Sequence, residues 1–190
     1  MKTKQELRLF YKTLRNSIPE KDRLKYSKEI AEKVFSTDLY KSCKTILIFV
    51  SINSEVETKF IIDRAFRDGK IVAVPKTENK SMEFVKISPA DELAKGEYNI
   101  PTAPLGNEKI KDFSSALCIV PCLSADLSCH RLGYGGGYYD RFFALYPNVK
   151  SICLCFDNCI ALSLPTEEFD KAVDISITEK RMFGGVPDAR

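Results

Sequence analysis

The stretch TILIFVSINSEVETKFIIDRAFRDGKIVAVP, residues 45–75, has the pattern of a strand, a helix and a second strand. Its first six residues are apolar after Thr45 and rich in β-branched side chains, which is typical of a strand covered on both faces. Ser54 and Glu57 have the spacing of a capping box, which predicts that a helix begins there, and Gly69 is placed to end it. The apolar residues that follow predict the second strand. Such a unit implies two parallel strands joined by a right-handed crossover.

The same alternation of helices and strands extends along the rest of the chain. The patterns predict helices over 7–18 and 24–35, strands over 82–87, 116–121, 151–156 and 171–178, and a proline-punctuated loop over 99–107. Interleaved helices and apolar strands indicate the α/β class. We therefore predict a single-domain layered fold over residues 1–190, with a largely parallel sheet flanked by helices. In such sheets, ligands bind beyond the carboxyl ends of the strands.

Length and charge limit the classes of function. The chain has 190 residues, of which 44% are hydrophobic and 29% are charged, and this suits one well-buried core. Its net charge is only +3, so we expect no extended positive potential that would attract a polyanion. Any anion site must therefore be local. The longest buried-looking run, residues 46–50, is far shorter than the roughly 20 residues that span a bilayer. We expect a cytoplasmic protein with no membrane or nucleic-acid partner.

The cysteines raise the hypothesis of a zinc site, because most of them lie in the second half of the chain. These are Cys118, Cys122, Cys129, Cys153, Cys155 and Cys159. Their spacing contains no CxxC pair, and the chain has a single histidine, His130. Cys118, Cys153 and Cys155 fall inside apolar strand-like runs, where cysteine behaves as a small hydrophobe. Reduced core thiols are therefore favoured over metal ligands.

The segment RLGYGGGYYDR, residues 131–141, is the strongest candidate for a functional site. Glycine occupies four of the five positions from 133 to 137, which allows a ligand to approach the backbone closely. If a helix begins near Gly137, the bare amide groups and the helix dipole together form an anion-binding nest. Arg131 and Arg141 add positive charge, and Asp140 could hold a magnesium ion that a phosphate also binds.

Two interpretations of this segment stay open on the residues alone. One is a phosphate-binding loop, and the other is a tight strand-to-helix turn whose tyrosines pack in the core. The segment is not a P-loop, because no Gly-Lys-Ser/Thr occurs in it, and it fails the dinucleotide pattern GxGxxG at Tyr138. The arginines and the aspartate around the glycines favour the functional interpretation.

Taken together, RLGYGGGYYDR closely resembles the signature of the 5-formyltetrahydrofolate cyclo-ligase family, also called methenyltetrahydrofolate synthetases. The resemblance extends in order through KQELR, SINSEVET, GKIVAVP, GEYNIPTAP, IVPCLSAD and LPTEEFD, and so covers nearly the whole chain. It implies an enzyme that uses ATP and Mg²⁺ to close 5-formyltetrahydrofolate into 5,10-methenyltetrahydrofolate. Phosphorylation of the formyl oxygen and attack by N10 would need no protein nucleophile. We expect a monomer whose partners are two small molecules, folate and ATP.

The resemblance also implies roles for particular residues. Lys4 and Arg8 are expected to contact the ATP phosphates, and Tyr138 and Tyr139 to lie against the ligands. The other implied residues are Arg131 and the backbone of Gly133, Tyr134, Gly135, Gly136 and Gly137 for the phosphates, Asp140 and Asp170 for magnesium, and Ile52, Glu57 and Tyr138 for the folate, with Arg131, Tyr138 and Asp140 as the catalytic group.

Several of these assignments have a structural alternative. Lys4 and Arg8 have the spacing of a solvated helix face. Asp170 lies in a stretch that also fits an acidic first helical turn. Glu57 is fully explained as the last residue of the capping box.

Two residues directly before the glycine segment, Cys129 and His130, also carry expectations. Cys129 stands where the family often has glycine, and His130 beside it is expected to be a solvated loop residue.

A non-catalytic folate- or nucleotide-binding relative is the alternative to an enzyme. A nucleic-acid module that uses Arg131, Arg141 and the tyrosines for stacking is disfavoured by the nearly neutral net charge.

Overall fold

The computed structural model describes residues 3–78, 81–89, 93–96 and 101–184. The helices of this part are α1 (Lys4–Asn16), α2 (Glu20–Ser36), α3 (Asp38–Ser42), α4 (Lys59–Arg67) and α5 (Tyr138–Leu145), with a short 3-10 helix at Asp157–Cys159. The strands are β1 (Thr45–Ile48), β2 (Ile71–Glu78), β3 (Ser81–Ile87), β4 (Ala94–Lys95), β5 (Pro101–Thr102), β6 (Ala116–Pro121), β7 (Ser124–Asp126), β8 (Arg131–Leu132), β9 (Lys150–Leu154), β10 (Ile160–Ala161), β11 (Ile175–Ile177) and β12 (Met182–Gly184). Within these ranges, no helix has both the length and the apolar character that crossing a bilayer requires.

The main sheet has seven strands in the order β12-β11-β9-β6-β1-β2-β3. The pairs from β11 to β2 are all parallel, whereas the edge strands β3 and β12 pair antiparallel with their neighbours. The predicted β1–α4–β2 unit is present, and Thr45 pairs with Ile71 in it. The prediction of an α/β layered fold with a largely parallel sheet is confirmed.

Both faces of the sheet are covered, as the apolar character of β1 predicts. All four β1 residues are buried. Ile46 and Ile48 belong to one core cluster and Leu47 to the other, because successive strand residues point to opposite faces. The first cluster includes residues of α2 and α4, and the second includes residues of α1 and α5. Helices therefore flank the sheet on each side.

The helix after β1 begins later than the capping-box spacing predicts. It starts at Lys59, and no side chain caps its N-terminal residue. The hydroxyl of Ser54 instead accepts a hydrogen bond from Arg15 of α1 at 3.0 Å, while the carboxylate of Glu57 accepts from the Lys59 amide at 2.9 Å. The prediction of a Ser54–Glu57 capping box is wrong, because a partner on another helix engages the serine hydroxyl.

Short elements also depart from the predicted pattern. The sequence patterns predict no strand between 116–121 and the glycines, but the structure has the hairpin β7–β8 there, and β7 also pairs with β10. Strands of two or three residues are too short to give a periodic pattern. Residues 99 and 100 of the predicted loop lie outside the described residues, and Pro101–Thr102 pairs with Ala94–Lys95.

All seven cysteines are buried, and none forms a disulfide. Cys118 and Cys153 have no exposed surface, and both belong to the core cluster that packs against α1 and α5. The prediction that the strand cysteines are core thiols is confirmed.

Replacement of Ile119 by alanine should destabilise the fold strongly. Ile119 lies in the middle of β6 and is 0% exposed, so the variant loses apolar contacts and leaves a cavity. We expect the free energy of unfolding, measured by urea denaturation, to fall by about 2–5 kcal/mol. Leu162→Ala, at a residue 91% exposed, is the control and should change it by less than about 0.5 kcal/mol. Equal effects of the two substitutions would contradict the core position of β6.

Candidate active site

A cleft of about 1960 Å³ opens at the carboxyl ends of the central strands. Its lining includes Phe49 and Val50, which follow β1, Pro75 and the residues after it in β2, and Pro121 at the end of β6. The other walls come from α1, the β1–α4 loop, the glycine segment and the segment before β11. The cleft therefore lies where parallel sheets place their ligands.

Nearly all the residues predicted from the sequence line this one cleft. They are Lys4, Arg8, Ile52, Arg131, Gly133, Tyr134, Gly135, Gly136, Gly137, Tyr138, Tyr139, Asp140 and Asp170. The structure thus brings together side chains from both ends of the chain. Glu57 is the predicted residue that does not line it.

Backbone geometry requires glycine in the loop. Gly135 and Gly137 have φ angles of 102° and 65°, in the region that side chains with a Cβ rarely adopt. At Gly136 an added Cβ would lie 2.8 Å from the ring of Tyr138. Gly137 is the N-cap residue of α5, so this helix begins where the sequence predicts it.

The amide groups of the loop are available to a ligand. No described residue accepts a hydrogen bond from the amides of 134–137. Two carbonyls of the loop, by contrast, are held by arginines: Arg8 Nε donates to Gly133 O at 2.9 Å, and Arg141 Nη2 donates to Gly136 O at 2.9 Å. Free amides flanked by two guanidinium groups are suited to a phosphate.

Two aspartates of the cleft lining accept hydrogen bonds from basic side chains. Asp140 Oδ1 accepts hydrogen bonds from Arg131 Nη2 at 2.7 Å and from the Lys171 amide at 3.1 Å. Asp170 Oδ2 accepts from Lys4 Nζ at 2.6 Å. Burial raises the pKa of Asp170, but its hydrogen bonds, first of all that from Lys4, outweigh burial and bring the pKa below its usual value. Asp170 is therefore ionised at neutral pH.

These aspartates suit a magnesium ion that is shared with a phosphate. Proteins commonly hold Mg²⁺ through one or two carboxylates together with phosphate oxygens and water. Oδ2 of Asp140 accepts no hydrogen bond from any described residue, so it is available to such an ion. Within the described ranges, no group of three or more His, Cys, Asp or Glu side chains is arranged to hold a metal.

Arg131 acts inside the protein rather than at its surface. Its side chain is 4% exposed. It donates to Asp140 and to the carbonyl oxygen of Lys171, and its guanidinium carbon lies 5.6 Å from the ring centroid of Phe143. Arg131 therefore fixes the orientation of the Asp140 carboxylate.

The carboxylate of Glu57 is used at the start of α4. It accepts hydrogen bonds from the Ser51 hydroxyl at 2.7 Å and from the Lys59 amide at 2.9 Å. The structure therefore places this predicted folate ligand in a local backbone role, at a position outside the cleft lining.

Glu55, two residues earlier, lines the cleft. It accepts hydrogen bonds from the Ile52 amide at 2.9 Å and from the Tyr134 hydroxyl. Burial raises the pKa of Glu55 above its usual value, although both hydrogen bonds act in the opposite direction. Sequence reasoning missed this residue because the motif SINSEVET contains two glutamates, and the resemblance was used to assign the folate contact to the second.

Arg15 is a further residue that sequence reasoning missed. It is 5% exposed, and its guanidinium donates to Ser54 Oγ at 3.0 Å, to Tyr134 Oη at 2.6 Å and to the Cys122 carbonyl at 3.3 Å. One signal was present in the sequence. Arg15 follows Tyr11 by four residues on the apolar face of the first helix, and a buried charge there requires partners.

The two tyrosines at the start of α5 face different surroundings. The Tyr138 ring lines the cleft, 5.0 Å from the guanidinium carbon of Arg141. Tyr139 packs against the core, and its buried hydroxyl has no hydrogen-bond partner among the described residues. Burial raises the pKa of Tyr139 well above its usual value. The segment thus combines both interpretations: Tyr138, Tyr139 and the glycines border the cleft, and Tyr139 also packs against the core.

Cys129 adopts a backbone conformation that favours glycine. Its φ of 62° lies in the left-handed region, which costs a residue with a side chain roughly 1–2 kcal/mol. The buried Asp126 stabilises the turn, because its Oδ1 accepts from the amides of Ser128 and His130 at 3.0 Å each. His130 is half-exposed at this turn, as predicted for a loop residue. The glycine that the resemblance suggests at 129 therefore has a backbone explanation.

Comparisons with known proteins identify similar sequences and folds. Residues 1–179 match the model of the 5-formyltetrahydrofolate cyclo-ligase family. A mouse protein named 5-formyltetrahydrofolate cyclo-ligase is 32% identical over 184 residues, which cover 90% of this chain and 91% of the mouse protein. The NMR structure of Aquifex aeolicus 5,10-methenyltetrahydrofolate synthetase has a TM-score of 0.83 and 27% identity, with 98% of this chain and 94% of that chain covered. A synthetase structure from Mycoplasma pneumoniae shares the fold, with a TM-score of 0.76 at 17% identity over 94% of this chain and 99% of that chain.

The family match and the mouse relative each span most of the chain, and the glycine segment lies within both the matched region and the cleft. The chain belongs to the 5-formyltetrahydrofolate cyclo-ligase family.

Proposed function

We propose that this protein converts 5-formyltetrahydrofolate to 5,10-methenyltetrahydrofolate, with ATP as co-substrate and Mg²⁺ as the metal. The observation that carries the proposal is a single cleft in which the glycine loop adjoins two aspartates and a half-buried glutamate. The names of the relatives support the folate reaction. The monomeric state and the cytoplasmic location stay predictions from the sequence.

The proposed chemistry activates a poor leaving group. The formyl oxygen of the folate attacks the γ-phosphorus of ATP, the bond to the bridging oxygen breaks, and ADP leaves. N10 then attacks the formyl carbon, loses its proton, and expels the former formyl oxygen as inorganic phosphate. The product carries a methenyl carbon between N5 and N10. The protein contributes positioning and charge stabilisation rather than a nucleophile.

The phosphates are assigned to the glycine-loop end of the cleft. We propose that the amides of residues 134–137 bind phosphate oxygens and that Arg8 and Lys4 add positive charge. Asp140 and Asp170 would hold Mg²⁺, which supplies charge neutralisation to the phosphates when it is bound. Arg131 contributes through Asp140, because its guanidinium orients that carboxylate.

The folate is assigned to the end of the cleft that contains Glu55. We propose Glu55 rather than Glu57 as the hydrogen-bonding partner of the pterin ring, because Glu55 lines the cleft and Glu57 does not. Ile52 and Tyr138 also line it and provide apolar surface for the ring system.

Incubation of the purified protein with 5-formyltetrahydrofolate, ATP and Mg²⁺ should produce the absorbance of the methenyl product. Reactions without ATP, or with EDTA in place of Mg²⁺, are the controls and should give none. The alternative, a non-catalytic relative, predicts that the ligands raise the melting temperature without any turnover. Folded protein that is stabilised by both ligands but makes no product would favour that alternative.

Asp140→Asn should reduce turnover while the fold is preserved. The amide oxygen can still accept from Arg131 and Lys171, but the charge that would hold magnesium is lost. We expect the rate to fall by about 100-fold, measured by product absorbance at saturating substrates. Asp63→Asn, at an exposed helix position paired with Lys59, is the matched control and should leave the rate unchanged. A comparable loss of melting temperature and of rate in Asp140→Asn would indicate a structural role instead.

Glu55→Gln and Glu57→Gln provide a paired test of the folate site. Glu55→Gln should raise the KM for 5-formyltetrahydrofolate by about tenfold, as expected for the loss of one hydrogen bond to a charged group. Glu57→Gln keeps an acceptor for Ser51 and for the Lys59 amide, and it should leave that KM unchanged. Steady-state kinetics at saturating ATP measure both values. A raised KM in Glu57→Gln with an unchanged KM in Glu55→Gln would indicate that Glu57 contacts the folate.

A further inference from the structure

The side chain of Tyr134 connects the glycine loop to another wall of the cleft. Tyr134 stands between Gly133 and Gly135, so its backbone belongs to the proposed phosphate-binding loop. The residue is 49% exposed, but its hydroxyl is enclosed between two partners. It donates a hydrogen bond to Glu55 Oε1 in the β1–α4 loop. One residue therefore contacts the proposed folate end and forms part of the proposed nucleotide end.

Arg15 fixes the direction of this contact. Its Nη1 donates to the Tyr134 hydroxyl oxygen at 2.6 Å, and this leaves the hydroxyl proton for Glu55. The same guanidinium donates through Nε to Ser54, the residue before Glu55, at 3.0 Å. Arg15 is anchored in turn to the Cys122 carbonyl at the end of β6. The Tyr134 hydroxyl and the Ser54–Glu55 segment are therefore held by one buried cation.

The guanidinium stays charged in this position. Burial alone would lower the pKa of Arg15, but Tyr134 and then Glu55 oppose this, and the net pKa is raised. The centre of the guanidinium also lies 5.6 Å from the ring centroid of Tyr134, within the range of a cation–π contact. Arg15 thus holds both the hydroxyl and the ring of Tyr134.

A ligand at either end of the cleft acts on the same contact. Phosphates bound to the amides of residues 134–137 would fix the backbone of Tyr134 and so the direction of its hydroxyl. A folate bound to Glu55 requires one orientation of the carboxylate, and the Tyr134 hydroxyl sets that orientation. The ligand that binds first therefore orders part of the Tyr134–Glu55 contact that the second ligand requires. The second ligand then loses less entropy on binding, so its affinity is higher. Thermodynamic linkage makes the effect equal in the two directions.

We propose that Tyr134 and Arg15 are positioning residues that couple the binding of ATP to the binding of 5-formyltetrahydrofolate. The proposal rests on the proposed function and extends it: the two substrates bind more tightly together than apart. Neither residue takes part in the transfer of the phosphoryl group.

The test is calorimetric titration of the full chain with a non-hydrolysable ATP analogue and Mg²⁺, with and without saturating 5-formyltetrahydrofolate. In the wild type we expect the folate to increase affinity for the analogue about 5- to 150-fold, the usual range of coupling between sites. Tyr134→Phe keeps the ring but removes the hydroxyl, and should reduce the enhancement to less than about twofold. Tyr146→Phe, on a tyrosine at the end of α5 that does not line the cleft, should retain the wild-type enhancement.

The outcomes separate this inference from the proposed function. A wild type that binds both ligands without mutual enhancement overturns the inference and leaves the function standing. A Tyr134→Phe variant with the full wild-type enhancement does the same. A folded wild type that binds neither ligand overturns both.

Arg15→Lys provides a second, independent variant. Lysine keeps the charge but cannot direct a fork of N–H groups to Ser54, Cys122 and Tyr134. We expect loss of the enhancement in a protein whose melting is still cooperative. Arg64→Lys, at the exposed ion pair with Asp68, is its control. Since Tyr134→Phe leaves Arg15 in place, a folding defect in Arg15→Lys does not prevent the test. A folded Arg15→Lys variant with undiminished enhancement counts against the role of Arg15.

Discussion

Parallel pairing of the central strands is the constraint on which the cleft depends. Parallel neighbours end at the same edge of a sheet, so the segments that leave β1, β2 and β6 emerge side by side although they are far apart in sequence. The register aligns Ile48 at the end of β1 with Ile119 in β6. This edge then receives α1 from one end of the chain and the segment before β11 from the other. No single stretch of the chain could assemble the same set of groups.

Both aspartates of the cleft are held in ion pairs with basic side chains. Lys4 with Asp170 and Arg131 with Asp140 are ion pairs of 2.6 and 2.7 Å, in a chain whose net charge is only +3. Partly buried charges without partners would be costly, and pairing reduces that cost while it fixes the orientation of each group. An anionic ligand therefore meets groups that are already oriented, and this is the condition under which electrostatic stabilisation is most effective.

The fold class and the glycine loop could be predicted from the sequence because both depend on local patterns. The apolar run at 45–50 and the glycines at 133–137 indicate burial and backbone freedom directly. Contacts between residues that are distant in sequence determine the start of α4 and the choice of glutamate in the cleft, and local patterns do not show these contacts. Ser54 interacts with Arg15 rather than with a helix end, so α4 begins later than its spacing suggests. Glu55 lines the cleft and Glu57 does not. The spacing of residues along the chain could not predict which of the two glutamates lines it.

Complete burial of the native thiols has a practical consequence for spectroscopy. Thiol-selective reagents attack the exposed thiolate form. Burial raises the pKa of Cys159 to about 12, whereas hydrogen bonds from Cys153 and Cys155 bring the pKa of Cys122 well below its usual value, so burial is the protection that all seven thiols share. None of the seven cysteines is exposed. A single cysteine introduced on an outer surface, for example at the exposed Leu162, would therefore be the preferred target of a maleimide dye. Fluorescent labelling at one chosen point then requires no prior removal of the seven natural cysteines.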